Sequence, residues 1–350
     1  MKSFLSLFFL LTFSFLKSQD TVKVAVNLSP EELAEQDYNR GISQLKNKDY
    51  YSAIDLFNKC LAVKPGFDKA YANRAIALTN VKKHNEALLD INKAIELNSQ
   101  NPDNYFNKSL IFFALNQKDS QNVALDNCLR LNAEHAEASY YKGLFFYEKG
   151  DYDKAIGYYS ISILSNRNYA FAYNDRASAK RAKGDMAGAI ADYQTALLMD
   201  STHAFIINNL GSAYRANKTY DKAIELYTIA LRRDSSYNTA LINRGVAYFE
   251  SGNYKAAQKD FESLLAKDPK SSFAYNNLCS ISIKEQDYKK ARDYATRAIE
   301  LDGNNGAAFY NRGIARQLLR DEEGSCYDWK KALELGVTGA KAFINASCID

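Results

Sequence analysis

The sequence predicts an all-α stack of about nine helix-turn-helix repeats closed by a C-terminal capping helix. Three observations carry that expectation. The chain repeats itself at 34 residues: residues 170–203 and 204–237 align without a gap and share Ala170/Ala204, Phe171/Phe205, Asn174/Asn208, Ser178/Ser212, Arg181/Arg215, Ala189/Ala223 and Tyr193/Tyr227. Small residues recur at fixed places in that frame, where two helices must approach closely. With 47% apolar residues, 25% charged residues and four prolines in 350, the composition is that of a chain able to bury a large core.

The first segment stands apart. Lys2, the apolar run of residues 4–16 and Lys17-Ser18 read as a secretory signal peptide covering residues 1–18, cleaved after Ser18. Thirteen apolar residues are too few to span a bilayer as a helix. Loss of Lys2 and Lys17 takes the formal charge from +4 to +2, a balance that gives no argument for nucleic acid. No cysteine follows the run until Cys60, so a bacterial lipoprotein signal is missing, and no later segment reads as an anchor. The mature chain is therefore expected to be exported, periplasmic or extracellular, with no membrane insertion after signal cleavage.

Residues 19–33 form a linker and the start of the first helix, where Ser29-Pro30-Glu31-Glu32 supplies an N-cap serine, a first-turn proline and the glutamate of a capping box. Nine repeats then fit residues 34–339, beginning at Ala34, Asp68, Pro102, Ala136, Ala170, Ala204, Asn238, Ser272 and Gly306. Position eight is small throughout, for example Gly41, Gly143, Gly211 and Gly313. Position twenty is mostly alanine and position twenty-four mostly large, as in Phe57, Tyr159, Tyr193, Tyr227, Phe261 and Trp329. Position twenty-eight is always Leu or Ile, one helical turn beyond position twenty-four on the same face. Turn signals such as Gly150-Asp151 and Gly184-Asp185 separate the two helices of a repeat. Repeat three departs most, because Gln121 replaces the alanine at position twenty and residues 116–122 are polar. Residues 340–350 begin a tenth first helix, expected to cap the open end.

These positions resemble the tetratricopeptide repeat family, with its small residue at eight, alanine at twenty, aromatic at twenty-four and proline at thirty-two, the last kept only as Pro65 and Pro269. The resemblance implies paired antiparallel helices in a right-handed α-solenoid whose concave groove is lined by the first helix of each pair. It also implies that function resides in that groove. The carboxylate clamp of chaperone-binding relatives needs a Lys, Asn, Lys, Arg set at fixed positions, and no such set is present.

Catalytic chemistry is not indicated. His84, His135 and His203 fall at turns or repeat boundaries at least 51 residues apart (84 to 135), so metal-ligand spacing is missing. No nucleophile elbow or phosphate cradle occurs, and the acidic residues are expected at helix ends and outer faces. No enzyme activity, cofactor or metal is expected. Cys60, Cys128 and Cys279 read as buried small side chains, whereas Cys326 and Cys348 are spaced to meet across the last repeat and the cap as a disulfide.

The expected partner is a protein or peptide, bound as an extended segment. Position six is asparagine in seven of nine repeats: Asn39, Asn73, Asn107, Asn209, Asn243, Asn277 and Asn311, interrupted by Tyr141 and Asp175. A column of amides both donates and accepts, so it suits a peptide backbone. Around it stand the doubled Phe171/Phe205, Asn174/Asn208, Ser178/Ser212 and Arg181/Arg215, which show no packing reason to recur. Position twelve reads Phe113, Tyr147, Arg181, Arg215 and Phe249 through repeats three to seven, two guanidinium groups flanked by aromatics and suited to an acidic side chain. The alternative is a structural scaffold or envelope-assembly component that binds through its convex face or its ends. The sequence fixes neither the oligomeric state nor the partner.

Overall fold

A computed structural model describes residues 28–348. The expected signal peptide and most of the linker lie outside the described residues. Nineteen α-helices and no strand occur among those residues. They fall into two compact units divided between Ser99 and Gln100. The first holds α1 (Pro30–Lys46), α2 (Tyr50–Val63), α3 (Asp68–Asn80) and α4 (His84–Leu97). In the second, first helices alternate with second helices: α5 (Pro102–Ala114), α6 (Lys118–Leu131), α7 (Ala136–Glu148), α8 (Tyr152–Ser165), α9 (Ala170–Ala182), α10 (Met186–Met199), α11 (Ala204–Ala216) and α12 (Tyr220–Arg233). It continues through α13 (Asn238–Glu250), α14 (Tyr254–Lys267), α15 (Ser272–Lys284), α16 (Tyr288–Leu301), α17 (Gly306–Leu318), α18 (Glu322–Glu334) and α19 (Ala340–Ser347). No described helix is long and apolar enough to cross a membrane.

The helix ends follow from the 34-residue frame. Every odd-numbered helix from α3 onward starts on the first residue of a repeat, and α1 starts four residues early because Ser29 and Glu32 close a capping box. Those two bonds also hold the Glu32 carboxyl below its ordinary value. Position fifteen takes positive φ in all nine repeats, as glycine at Gly150, Gly184 and Gly252 and otherwise as residues such as Lys218 (φ 59°). This left-handed residue ends the first helix. Second helices then open on capping side chains, among them Asp49, Asp151, Asp185, Asp287 and Asp321.

Small and large side chains interlock inside each repeat. A Cβ built on Gly143 would stand 2.4 Å from the Tyr159 ring, one on Gly211 2.8 Å from Tyr227, and one on Gly313 2.4 Å from Trp329. Glycine at position eight thus lets the aromatic at position twenty-four lie against the backbone. In repeat three α6 forms with Gln121 buried at the alanine position, and Leu125 and Cys128 carry the packing. At the C-terminal end, Phe343 of α19 lies 4.9 Å from Trp329 and 5.5 Å from Tyr310 between ring centroids. Cys326 and Cys348 are joined there by a disulfide, with Sγ atoms 2.08 Å apart. Cys60, Cys128 and Cys279 are free and buried. Burial pushes the Cys128 and Cys279 thiols up to about 12, beyond ready ionisation.

The acidic residues are not confined to helix ends and outer faces. Asp90, Asp192, Asp260 and Asp328 at position twenty-three are buried, each gripped by the arginine at position seven of its own repeat. In repeat five Arg176 donates from Nε and Nη2 to the two Asp192 oxygens at 2.8 and 2.7 Å, and its Nη1 reaches Ser160 of the preceding repeat. A planar guanidinium fork suits that bidentate geometry, and the third nitrogen ties neighbouring repeats together. In repeats six and eight both positions turn apolar together, as Leu210 with Leu226 and Leu278 with Tyr294. A lone charge left in either place would be desolvated without a partner.

Candidate binding groove

The first helices of the second unit, α5 through α17, carry the residues expected to line a groove. Most of those residues are tied to the neighbouring repeat rather than left free. Asn174 and Asn208, at position five, are buried. Each accepts a hydrogen bond on Oδ1 from the position-six asparagine of the next repeat: Asn209 to Asn174 at 3.0 Å, and Asn243 to Asn208 at 2.9 Å. Asn311 donates to Asn276 in the same way at 2.9 Å. Where Asp175 interrupts the column the polarity reverses, and Tyr140 at position five donates its hydroxyl to Asp175 Oδ2 at 2.7 Å. Asn174 Nδ2 donates to the other oxygen of Asp175. Burial raises the Asp175 carboxyl pKa, and the bonds from Tyr140 and Asn174 oppose the rise. Asn277 instead donates to the Phe273 carbonyl, because position five of the preceding repeat is Ile242. Among the position-six asparagines of this unit, Asn107 alone makes no side-chain hydrogen bond with the described residues.

The remaining doubled residues also have packing roles. Phe171 and Phe205 stack at 5.9 Å with planes 11° apart, and His203 contacts both rings edge-on. The expectation that these residues and Asn174/Asn208 recur without a packing reason is corrected: they join one repeat to the next. Ser178 shares a hydrogen bond with the Tyr193 hydroxyl at 2.8 Å, and Ser212 accepts one from Tyr227 at 3.1 Å. Repeat four has Leu144 in place of the serine, and the buried Tyr159 hydroxyl is left without a partner. Toward the helix ends, Tyr147 packs on Tyr152 at 5.5 Å and Phe249 on Tyr254 at 5.5 Å.

The two arginines at position twelve, alike in sequence, differ in structure. Arg215 donates from Nη1 to Glu250 Oε1 at 3.2 Å, so its charge is met inside the chain. Arg181 is half-buried, lies near the hydroxyls of Tyr193 and Tyr227, and has no carboxylate partner among the described residues. Its phenolic neighbours feel the charge, which works to lower their pKa against the burial that raises it. The sequence signal for this difference is Glu250, thirty-five residues after Arg215, where the residue thirty-five after Arg181 is Ala216.

A recess sits on this face. Phe113 of α5, Tyr141, Leu144 and Phe145 of α7, and the ion pair of Lys118 with Glu148 (2.6 Å) bound a cavity of about 230 Å³. Phe113 is 57% exposed. No cluster of three or more His, Cys, Asp or Glu side chains suited to a metal occurs among the described residues.

Comparison with protein-family models matches the tetratricopeptide repeat over residues 123–173, 174–238, 208–272 and 242–306, and a second model of the same description over residues 68–101, together more than half of the chain. No curated protein sequence matches. Among solved structures, a tetratricopeptide repeat protein from Parabacteroides merdae is 17% identical over 71% of this chain and 99% of its own, with a TM-score of 0.59. PilF of Pseudomonas aeruginosa is 14% identical over 60% and 96%, with a TM-score of 0.53. PilW, a widely conserved type IV pilus biogenesis factor, is 15% identical over 58% and 94%, with a TM-score of 0.52. At such identities the likeness is one of fold.

Proposed function

The chain belongs to the tetratricopeptide repeat family, and from that premise we propose an exported interaction module that holds an extended, acidic segment of a partner protein on the face of its first helices. Proteins of this family are generally protein-binding scaffolds without catalytic chemistry of their own. Arg181 is the observation that carries the finer reading. A half-buried guanidinium with no carboxylate partner among the described residues gains most from one supplied by a partner, and Asn107 leaves an amide open to a peptide backbone. Export is supported by the apolar run of residues 4–16 and by the Cys326–Cys348 disulfide, which suits an oxidising compartment.

A second reading has its own observation. Where Leu210 and Leu226 replace the arginine–aspartate pair, a cleft of about 450 Å³ opens between α10 and α12, edged by Leu198, which is 88% exposed. Such a patch on the second helices suits a scaffold that binds through its outer face. Both readings are tested by partner capture from the envelope fraction with Arg181→Glu and Leu198→Glu. Loss of about 2 kcal/mol, roughly thirtyfold in Kd, with Arg181→Glu alone supports the first. Loss with Leu198→Glu alone and none with Arg181→Glu replaces it with the second.

A further inference from the structure

Resting on the groove reading above, we propose that the recess between α5 and α7 is an anchor site for one aromatic or branched aliphatic side chain of the bound segment, five or six residues from the acidic residue that meets Arg181. Phe113, Leu144 and Phe145 supply apolar walls, and the Tyr141 ring lies 5.8 Å from Phe113, edge-on. A volume of about 230 Å³ is the size of one large side chain rather than of a free cofactor. Phe113 is the most exposed large apolar residue on any first helix of the second unit, ahead of Leu318 at 46% and Phe273 at 44%.

Leu144 makes the recess costly to maintain. In repeats five and six the same position is serine, bonded to the tyrosine beneath it, whereas Leu144 leaves the buried Tyr159 hydroxyl without a partner. An orphaned hydroxyl of that kind costs about 1–3 kcal/mol. Position nine is apolar in five other repeats, at Ile42, Ile76, Leu110, Val246 and Ile314, and repeat four alone sets an apolar residue there over a tyrosine at position twenty-four.

The spacing follows from the frame. Phe113, Tyr147 and Arg181 hold the same position in three successive repeats. Two steps between successive first helices, roughly 8–10 Å each, separate Phe113, the far wall of the recess, from the Arg181 guanidinium. Five or six residues of extended chain at about 3.3 Å each cover that distance. The occupant is therefore a peptide segment with an apolar residue and an Asp or Glu at that separation. Arg181 fixes the acidic partner by charge, and the Lys118–Glu148 pair leaves the mouth of the recess close to neutral.

The test is selection of a dodecapeptide display library on the full chain, read by sequencing. The expected enrichment, about tenfold over the input, is of Phe, Tyr, Leu or Ile five or six positions from Asp or Glu. Leu144→Ser gives Tyr159 a hydrogen-bond partner while removing the wall, so it should keep the fold and lose the apolar preference. Phe113→Ser should do the same from the other side, and Arg181→Glu should lose only the acidic preference. Acidic enrichment that depends on Arg181, with no apolar preference or with one unchanged in both recess variants, overturns the anchor site and leaves the groove reading standing. Absence of any enrichment that responds to Arg181 or to the recess overturns both.

Discussion

At the scale of the residue, Tyr159 and Tyr193 stand in equivalent places with opposite accounts. Tyr193 shares its hydroxyl with Ser178 and Tyr159 shares its own with nothing. Tyr159→Phe is expected to stabilise the protein by about 1 kcal/mol and Tyr193→Phe to destabilise it by a similar amount, measured by urea unfolding. Equal effects of the two changes would refute that assignment. The arginine–aspartate pairs allow a second comparison. Asp260→Ala strands the Arg244 guanidinium in a site that is largely buried and should cost about 3 kcal/mol. The double change Arg244→Leu with Asp260→Leu copies repeat six, where Leu210 and Leu226 already pack, and should cost less than about 1 kcal/mol. A double variant as unstable as the single one would show that the pair does more than fill space.

At the scale of the element, much of the helix plan was legible because the forces that set it act within one repeat. Glycine beneath an aromatic, a left-handed residue at position fifteen and an Asp cap all lie within 34 residues and recur in register. What passed unseen acts between columns. The bond from Asn209 to Asn174 joins position six to position five across 35 residues, so a column read alone shows only that asparagine is common. Likewise Asp192 reads as a solvated charge until Arg176, sixteen residues earlier, is placed over it. Helix α19 is the element with the least packing of its own, eight residues held by Phe343 and by the disulfide. Closing a sequence separation of 22 residues is worth about 3 kcal/mol. Cys348→Ser should lower hydrogen-exchange protection in α19 roughly a hundredfold while helices up to α16 keep theirs. Unchanged protection in α19 would mean that Phe343 and its neighbours hold the helix without the disulfide.

At the scale of the whole molecule, the family and the number of repeats were readable from periodicity, and the balance of the candidate site was not. Sequence presents Arg181 and Arg215 as one doubled feature; Glu250, one repeat further on, pairs with Arg215 and sets it apart from Arg181. The recess beside Phe113 was foreshadowed by that residue and by Tyr141 in the asparagine column, whereas Leu144 and Phe145 of helix α7 look like ordinary packing. The locality that makes the period visible also governs the three free thiols. Cys60 is enclosed by residues between Ala34 and Tyr71, Cys128 by residues between Tyr105 and Tyr141, and Cys279 by residues up to Ala315. A chain that emerges N-terminus first therefore completes all three enclosures before Cys326 appears. Five cysteines permit ten pairings, and this order of emergence favours Cys326 with Cys348, the pair whose members come last.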